Sequence, residues 1–395
     1  MKKKVLFIMP SLFIGGAERS LLGLLDSFDY DNYEVSLFLY RHEGEFLEYV
    51  PKQVHILPQI SEYATFDIPI KSLIRNKMWP FALARVFGKF MKKINRSEDK
   101  LGVWASMQYI SRYLQPLLPE IPGSYDLGIS FLGIPDVLVN KVNAKIKIAW
   151  NHTDYTILGP DKKYDRKIYD RVNYVASVSD ACTSQFLSVY PEYKSKAITI
   201  HNVISKSFLE EQASHSIVDM DNDCNVVKLL SIGRFSDAKN FDNVPDICRR
   251  IVESGINVKW YLIGYGAEEK LIRKRIVENQ MKDHVIILGK KDNPYPYIRL
   301  CDFYVQPSRY EGKCVSVLEA QILNKPVVIT AYATASDQLI DGVDGVVVPM
   351  DNEGAAKGIT MFIRDVEKQH AVVESTKNTD YTNVCELHKI YKLVN

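Results

Sequence analysis

Glu311 and Glu319, with seven residues between them, set the first chemical question. They lie in Pro307-Ser308-Arg309-Tyr310-Glu311-Gly312-Lys313-Cys314-Val315-Ser316-Val317-Leu318-Glu319-Ala320. The apolar run Phe303-Tyr304-Val305 ahead of them reads as a buried strand, and a helical pattern starts near Cys314, after the glycine of the turn. A strand, a turn and a helix N-terminus present free backbone N–H groups at the positive end of a dipole, which suits an anion such as a diphosphate. Carboxylates beside such a site are badly placed for phosphate and well placed to accept hydrogen bonds from sugar or ribose hydroxyls. The stretch reads as a sugar-nucleotide site. A surface turn with solvated glutamates is the alternative.

Further groups of the same chemistry lie elsewhere. Val226–Ile232 predicts a strand, and the loop Gly233-Arg234-Phe235-Ser236-Asp237-Ala238-Lys239-Asn240 follows it. A guanidinium fork and an ammonium on one loop suit a diphosphate. The loop belongs to the same sheet edge as the Glu311 turn. Gly264-Tyr265-Gly266 resembles the start of a dinucleotide fingerprint, but the third glycine and the acidic partner are missing, which argues against a nicotinamide dehydrogenase. In the first half, Gly15-Gly16 follows the apolar run Val5–Met9, and His152 follows Lys147–Trp150. Two glycines after a strand let backbone approach a substrate, or simply make a tight turn. A histidine past a strand end lies on the functional edge of an open sheet, or is a loop residue with a local hydrogen bond. Asp219-Met220-Asp221-Asn222-Asp223 has the look of an Asp-x-Asp metal motif, but it follows no strand and reads as acidic linker.

The elements that position these groups alternate, strand then helix, through both halves, so the fold class is α/β with two Rossmann-like parallel-sheet domains facing across a cleft. The boundaries predicted are 1–205 for the first domain, 206–225 for a polar linker, 226–375 for the second domain and 376–395 for a final amphipathic helix. The 395 residues suffice for two cores. A formal net charge of +2 sets up no field for nucleic acid. The six cysteines form no Cys-x-x-Cys pair, which fits a reducing compartment and excludes an evident zinc motif. Lys2-Lys3-Lys4 ahead of an apolar run has the charge pattern of a signal peptide, but Pro10 and Gly15-Gly16 interrupt it, so a cytoplasmic protein is expected.

An insertion at about 68–97 changes character. Within it, residues 71–96 carry Lys71, Arg75, Lys77, Arg85, Lys89, Lys92, Lys93 and Arg96 with no acidic residue, interleaved with Trp79, Phe81, Phe87 and Phe90. This composition suits an anionic membrane surface and peripheral attachment on the inner face of the cytoplasmic membrane. An insertion that packs its apolar side on the domain and solvates its lysines fits equally.

Taken together, the Gly15-Gly16-Ala17-Glu18 loop, the His152 loop, His201-Asn202-Val203, Gly233-Arg234 with Lys239, Gly264-Tyr265-Gly266 and the Glu-x7-Glu stretch from Glu311 resemble retaining glycosyltransferases of family 4, of GT-B fold, which include capsule and exopolysaccharide enzymes. The resemblance implies a UDP- or GDP-sugar donor held by the second domain and a glycan or polyprenyl-diphosphate-linked acceptor on the first. It also implies a last helix that crosses back to the first domain, and no metal or other cofactor. It assigns Arg234 and Lys239 to the diphosphate, Glu311 to hydroxyls of the transferred sugar, Glu319 to the ribose and His152 to the sugar. Gly264 and the backbone near Lys313, Cys314 and Val315 join the donor site, and Gly15 and Gly16 close over the diphosphate. Lys313-Cys314-Val315 replaces the Phe-Gly-Leu of many members, and Asn240 stands where glycine often follows the lysine. A sugar-nucleotide epimerase and a non-catalytic scaffold of the same architecture are the alternative functions.

Overall fold

The computed structural model describes residues 2–94, 101–216, 219–220 and 223–394. The chain divides into two compact units, Met1–Val203 with Val384–Asn395, and Ile204–Asn383.

The first unit holds β1 (Lys3–Met9), β2 (Tyr33–Leu39), β3 (His55–Ile56), β4 (Ser124–Ser130), β5 (Asn143–Asn151), β6 (Tyr174–Ser177) and β7 (Ala197–Thr199). They form one parallel sheet in the order β3-β2-β1-β4-β5-β6-β7. Val5 through Met9 have no exposed surface, because both faces of β1 are covered, and this is why the strand reads as an unbroken apolar run. The strand order reverses between β1 and β4, and a ligand crevice is expected at such a switch point, outside the carboxyl ends of the strands. Gly15-Gly16 follows β1, Phe131 follows β4, and His152 follows β5 beside it. The last helix, Leu387–Val394, completes this unit: Leu387, Ile390 and Val394 enter its core. Tyr391 stacks on Tyr33 with ring centroids 4.8 Å apart and accepts from the Asp29 N–H at 2.9 Å.

The second unit holds β8 (Val227–Ile232), β9 (Val258–Ile263), β10 (Val285–Gly289), β11 (Phe303–Gln306), β12 (Val327–Thr330) and β13 (Val346–Val348), parallel in the order β10-β9-β8-β11-β12-β13. Here the reversal falls between β8 and β11. Trp260, fully buried, donates its indole N–H to Ser231 at 2.8 Å and joins the middle strands.

The described residues of 206–225 are not a free linker. Ser205 caps a helix, Lys206–Ala213, by accepting from the Phe208 N–H at 3.2 Å. Leu209, Ala213 and Met220 enter the core of the second unit with Tyr295 and Tyr297. Asp219 accepts from the Tyr297 hydroxyl at 2.6 Å and pairs with Lys291, while Asp221 and Asn222 of the same acidic run lie outside the described residues. Few apolar anchors in a polar stretch leave no periodicity to read, yet Leu209, Ala213 and Met220 pack regardless. The basic insertion forms two helices, Ile70–Arg75 and Trp79–Ile94; Arg96 lies outside the described residues.

Candidate functional site

In the second unit, the loops after β8 and β11 meet at the switch point. After β8 the chain makes a short 3-10 turn, Asp237–Lys239, which Asn240 ends in the left-handed conformation at φ 58°. Asparagine tolerates that conformation better than other residues with a side chain, which is why it can stand where glycine is common. The turn aims Lys239 at the β11 loop, where its Nζ lies 2.6 Å from Glu311 Oε1. Glu311 is held from behind as well. The Tyr304 hydroxyl donates to Gln306 Oε1 at 2.8 Å, Gln306 Nε2 donates to Ser308 Oγ at 2.8 Å, and Ser308 donates to Glu311 Oε1 at 2.6 Å. Arg309 ties the two loops together. Its N–H donates to the Ala238 carbonyl at 2.8 Å and its guanidinium grips Asp242 at 3.0 and 2.8 Å. Gln306, Ser308, Arg309 and Asp242 escaped the sequence reading. The signal present was a glutamine inside an apolar strand, and Gln306 is fully buried.

Burial by itself would lower the pKa of the Lys239 ammonium, but the Cys314 sulfur and the Glu311 carboxylate beside it prevail and hold it above its ordinary value. Lys239 is therefore a fixed cation at neutral pH. Arg234, on the same loop, is exposed, and its side chain makes no hydrogen bond or ion pair among the described residues. One cation is locked and the other is available.

Cys314 stands just before the helix Val315–Ile322. Its N–H donates to Gln338 Oε1 at 2.7 Å, so that amide is occupied rather than open to a phosphate as the resemblance implies. A side-chain amide from the Ala335–Gln338 helix reaches it, which no local pattern foretells. The next two N–H groups, of Val315 and Ser316, have no protein acceptor among the described residues, as expected of a helix start. Lys313 is half-buried on the turn. Burial pushes the Cys314 thiol above its ordinary pKa, against the pull of Lys239 3.8 Å away. Glu319 is 1% exposed and accepts from the Tyr295 hydroxyl at 3.1 Å. The two carboxylates thus differ in kind: Glu311 faces the cation at the turn, and Glu319 sits inside the unit beside a tyrosine.

Gly264 and Gly266 have a steric role. A Cβ on Gly264 would lie 1.9 Å from the Gly233 carbonyl oxygen, and one on Gly266 2.3 Å from that of Phe235. The loop after β9 can lie against the Arg234–Lys239 loop only because both side chains are missing.

In the first unit, His152 Nε2 lies 2.9 Å from the Phe131 carbonyl oxygen. A carbonyl only accepts, so Nε2 carries the hydrogen and Nδ1 is left as an acceptor. The ring packs against Phe131, with centroids 4.8 Å apart, and lies parallel to Trp150. Burial drives its pKa down to about 4, the Phe131 carbonyl pulling weakly the other way. Below pH 6.5 the unfolded chain binds this proton and the folded chain does not, so stability falls as pH drops from about 6.5 towards about 4. Urea unfolding across that window should show the slope, and a His152→Gln variant should lack it; equal slopes would contradict the assignment. Gly15 precedes the helix Gly16–Asp26 in an extended conformation, at φ −165°. Its missing side chain leaves room for the Glu18 carboxylate, which would lie 2.2 Å from a Cβ there.

These two parallel sheets define a protein of GT-B fold. Anabaena HepE, solved in complex with UDP and glucose, aligns over 99% of this chain and 99% of its own with a TM-score of 0.67 at 16% identity, a likeness of fold. Residues 221–379, most of the second unit, match the family model described as glycosyl transferases group 1. An uncharacterized glycosyltransferase of Methanocaldococcus jannaschii is 27% identical over 52% of this chain and 55% of its own. A Campylobacter jejuni enzyme, N-acetylgalactosamine-N,N'-diacetylbacillosaminyl-diphospho-undecaprenol 4-alpha-N-acetylgalactosaminyltransferase, is 25% identical over 49% and 50%. The chain spans about half the length of these curated relatives.

Proposed function

We propose that this chain moves a sugar from a UDP- or GDP-linked donor to a hydroxyl of a glycan or lipid-linked oligosaccharide in cell-surface polysaccharide synthesis, with retention at the anomeric carbon and without a metal. The observation that carries the reading is the Lys239–Glu311 pair, 2.6 Å apart at the switch point, on two loops of which one also carries the exposed Arg234 and the other leads into the helix Val315–Ile322. The match of residues 221–379 to the family model of group 1 glycosyl transferases supports the reaction class. The diphospho-undecaprenol acceptor in the Campylobacter relative's name and the UDP and glucose bound by HepE support the two substrate classes.

As the bond between the anomeric carbon and the donor diphosphate breaks, negative charge gathers on the departing phosphate oxygen. Lys239 and the N–H groups of Val315 and Ser316 stabilise that charge from fixed positions, and the exposed Arg234 closes on it as a second cation. The acceptor oxygen attacks from the face the diphosphate leaves, the new bond to carbon forms, and the acceptor proton passes to the leaving phosphate. Glu311 orients the sugar by accepting from its hydroxyls. His152 accepts a sugar hydroxyl through Nδ1. Glu319, steadied by Tyr295, takes the ribose, and Gly15 and Gly16 offer backbone to the diphosphate. Gly264 acts through the loop it packs against.

The test is a screen of UDP- and GDP-sugars with the purified chain, following thermal stabilisation and donor consumption. The matching donor at a hundred times its Kd should stabilise the fold by about 2.7 kcal/mol. Turnover should persist in EDTA; its loss would end the metal-free reading. Conversion of the donor to an epimer without acceptor would reassign the chain as an epimerase, and binding without turnover on any acceptor would make it a scaffold.

A further inference from the structure

The helix Trp79–Ile94 is built inside out. Its buried residues are Ala82, Arg85 and Gly88, and Phe81 packs part-buried on the core beside them. A Cβ on Gly88 would lie 2.8 Å from the Tyr109 carbonyl oxygen, so the helix rests close against its neighbour, Val103–Leu114, where it has no side chain at all. Arg85 turns into the unit and donates to the Thr65 carbonyl at 2.8 Å and to that of Ile68. Six large apolar residues point the other way: Trp79, Leu83, Val86, Phe87, Phe90 and Ile94 are between 48% and 68% exposed. At the helical repeat these six fall in a stripe about 100° wide, the width with which a helix ordinarily faces a core. Within the stripe Phe87 meets Tyr113 edge to face at 4.9 Å, and the rest of the stripe is left largely uncovered by the unit.

The charge beside the stripe has one sign. No aspartate or glutamate occurs from Lys71 through Ile94. Lys71, Arg75, Lys77, Lys89 and Lys93 are exposed, and none makes an ion pair among the described residues. A second copy of the chain would bring the same cations to the same face and be repelled by them. A bilayer with anionic headgroups offers an apolar boundary beneath a negative surface, and it complements both features at once. None of the described helices is long and apolar enough to cross a membrane, so the contact lies in the plane of the surface.

We propose that the outer face of Trp79–Ile94 docks on an anionic phospholipid bilayer, with the apolar stripe at the acyl boundary and the lysines among the headgroups. The inference is independent of the transferase reading, since its readout is binding to lipid. The test is sedimentation of the full chain with vesicles of phosphatidylcholine, with and without phosphatidylglycerol. Binding should require phosphatidylglycerol and weaken as salt rises. A Leu83→Glu, Phe90→Glu double variant should bind at least about tenfold more weakly, and Lys89→Ala and Lys93→Ala about fivefold each. Circular dichroism and melting temperature should stay unchanged, because these side chains are exposed. The proposal fails if the chain ignores anionic vesicles at low salt or if the variants bind like the parent. It also fails if light scattering shows the double variant converting a dimer to a monomer, which would give the face to a second copy.

Discussion

Lys239→Ala is expected to lower donor turnover by about 10²–10³-fold, the loss that follows removal of one fixed charge-stabilising group. The lysine is held 2.6 Å from Glu311 before any donor arrives, so no reorganisation is needed as charge develops on the leaving diphosphate. The variant also strands Glu311. Its side chain is 11% exposed and would keep only the Ser308 hydroxyl and a long contact to Gln306 at 3.5 Å. Breaking a buried pair from one side costs on the order of 3 kcal/mol. Turnover should therefore be measured well below the melting temperature, after circular dichroism has shown the variant folded. Lys239→Arg makes the second comparison. It keeps the charge, but a planar fork cannot reproduce a single short ammonium contact, so turnover should stay depressed while stability partly recovers. Turnover of a folded Lys239→Ala protein within a few-fold of the parent would sink the site.

Gly264→Ala is expected to cost more than 4 kcal/mol and to lower the melting temperature by about 10 °C or more. At φ 152° the added Cβ would lie 1.9 Å from the Gly233 carbonyl oxygen and 3.0 Å from the Phe235 ring. Backbone cannot rotate aside as a side chain can. The loop would have to move, giving up the bonds from Gly264 N–H to Gly289 at 2.9 Å and from Gly233 N–H to Ile263 at 3.0 Å. The second steadies the base of the loop carrying Arg234 and Lys239, so donor binding should fall with stability. Gly255→Ala is the control. Its φ of 88° is also positive, yet a Cβ there meets nothing within 4 Å, so it should cost about 1–2 kcal/mol. Equal melting temperatures for the two variants would show that backbone angle, and not the close approach to Gly233, decides the cost.

Much of the fold was legible because parallel strands covered on both faces leave a record in one dimension. Val258–Ile263, an unbroken apolar run apart from Lys259, is a strand over those same residues. The groups of the candidate site were legible as types, since few residues other than arginine and lysine suit a diphosphate. The second carboxylate was less so. Nothing local to Glu319 tells that Tyr295, 24 residues away, will cover it. Nor does anything local to Cys314 tell that Gln338 will take its amide.

The amino-acid sequence by itself determined the alternation of strand and helix, the cations and carboxylates available for chemistry, and the glycines where loops would crowd. The tertiary structure alone decided which of these meet. Lys239 and Glu311 are 72 residues apart, and they touch because the strand order reverses between β8 and β11 and brings their loops to one edge. It also decided that the helix Lys206–Ala213 and Met220 would pack and not hang free, and which way the helix Trp79–Ile94 would face. A period of 3.6 residues states that a helix has an apolar side; it fits equally whether that side looks inward or outward, and only the neighbour it packs against removes the choice. Here the helix turns Ala82, Arg85 and Gly88 inward, and most of the apolar stripe is left to face outward.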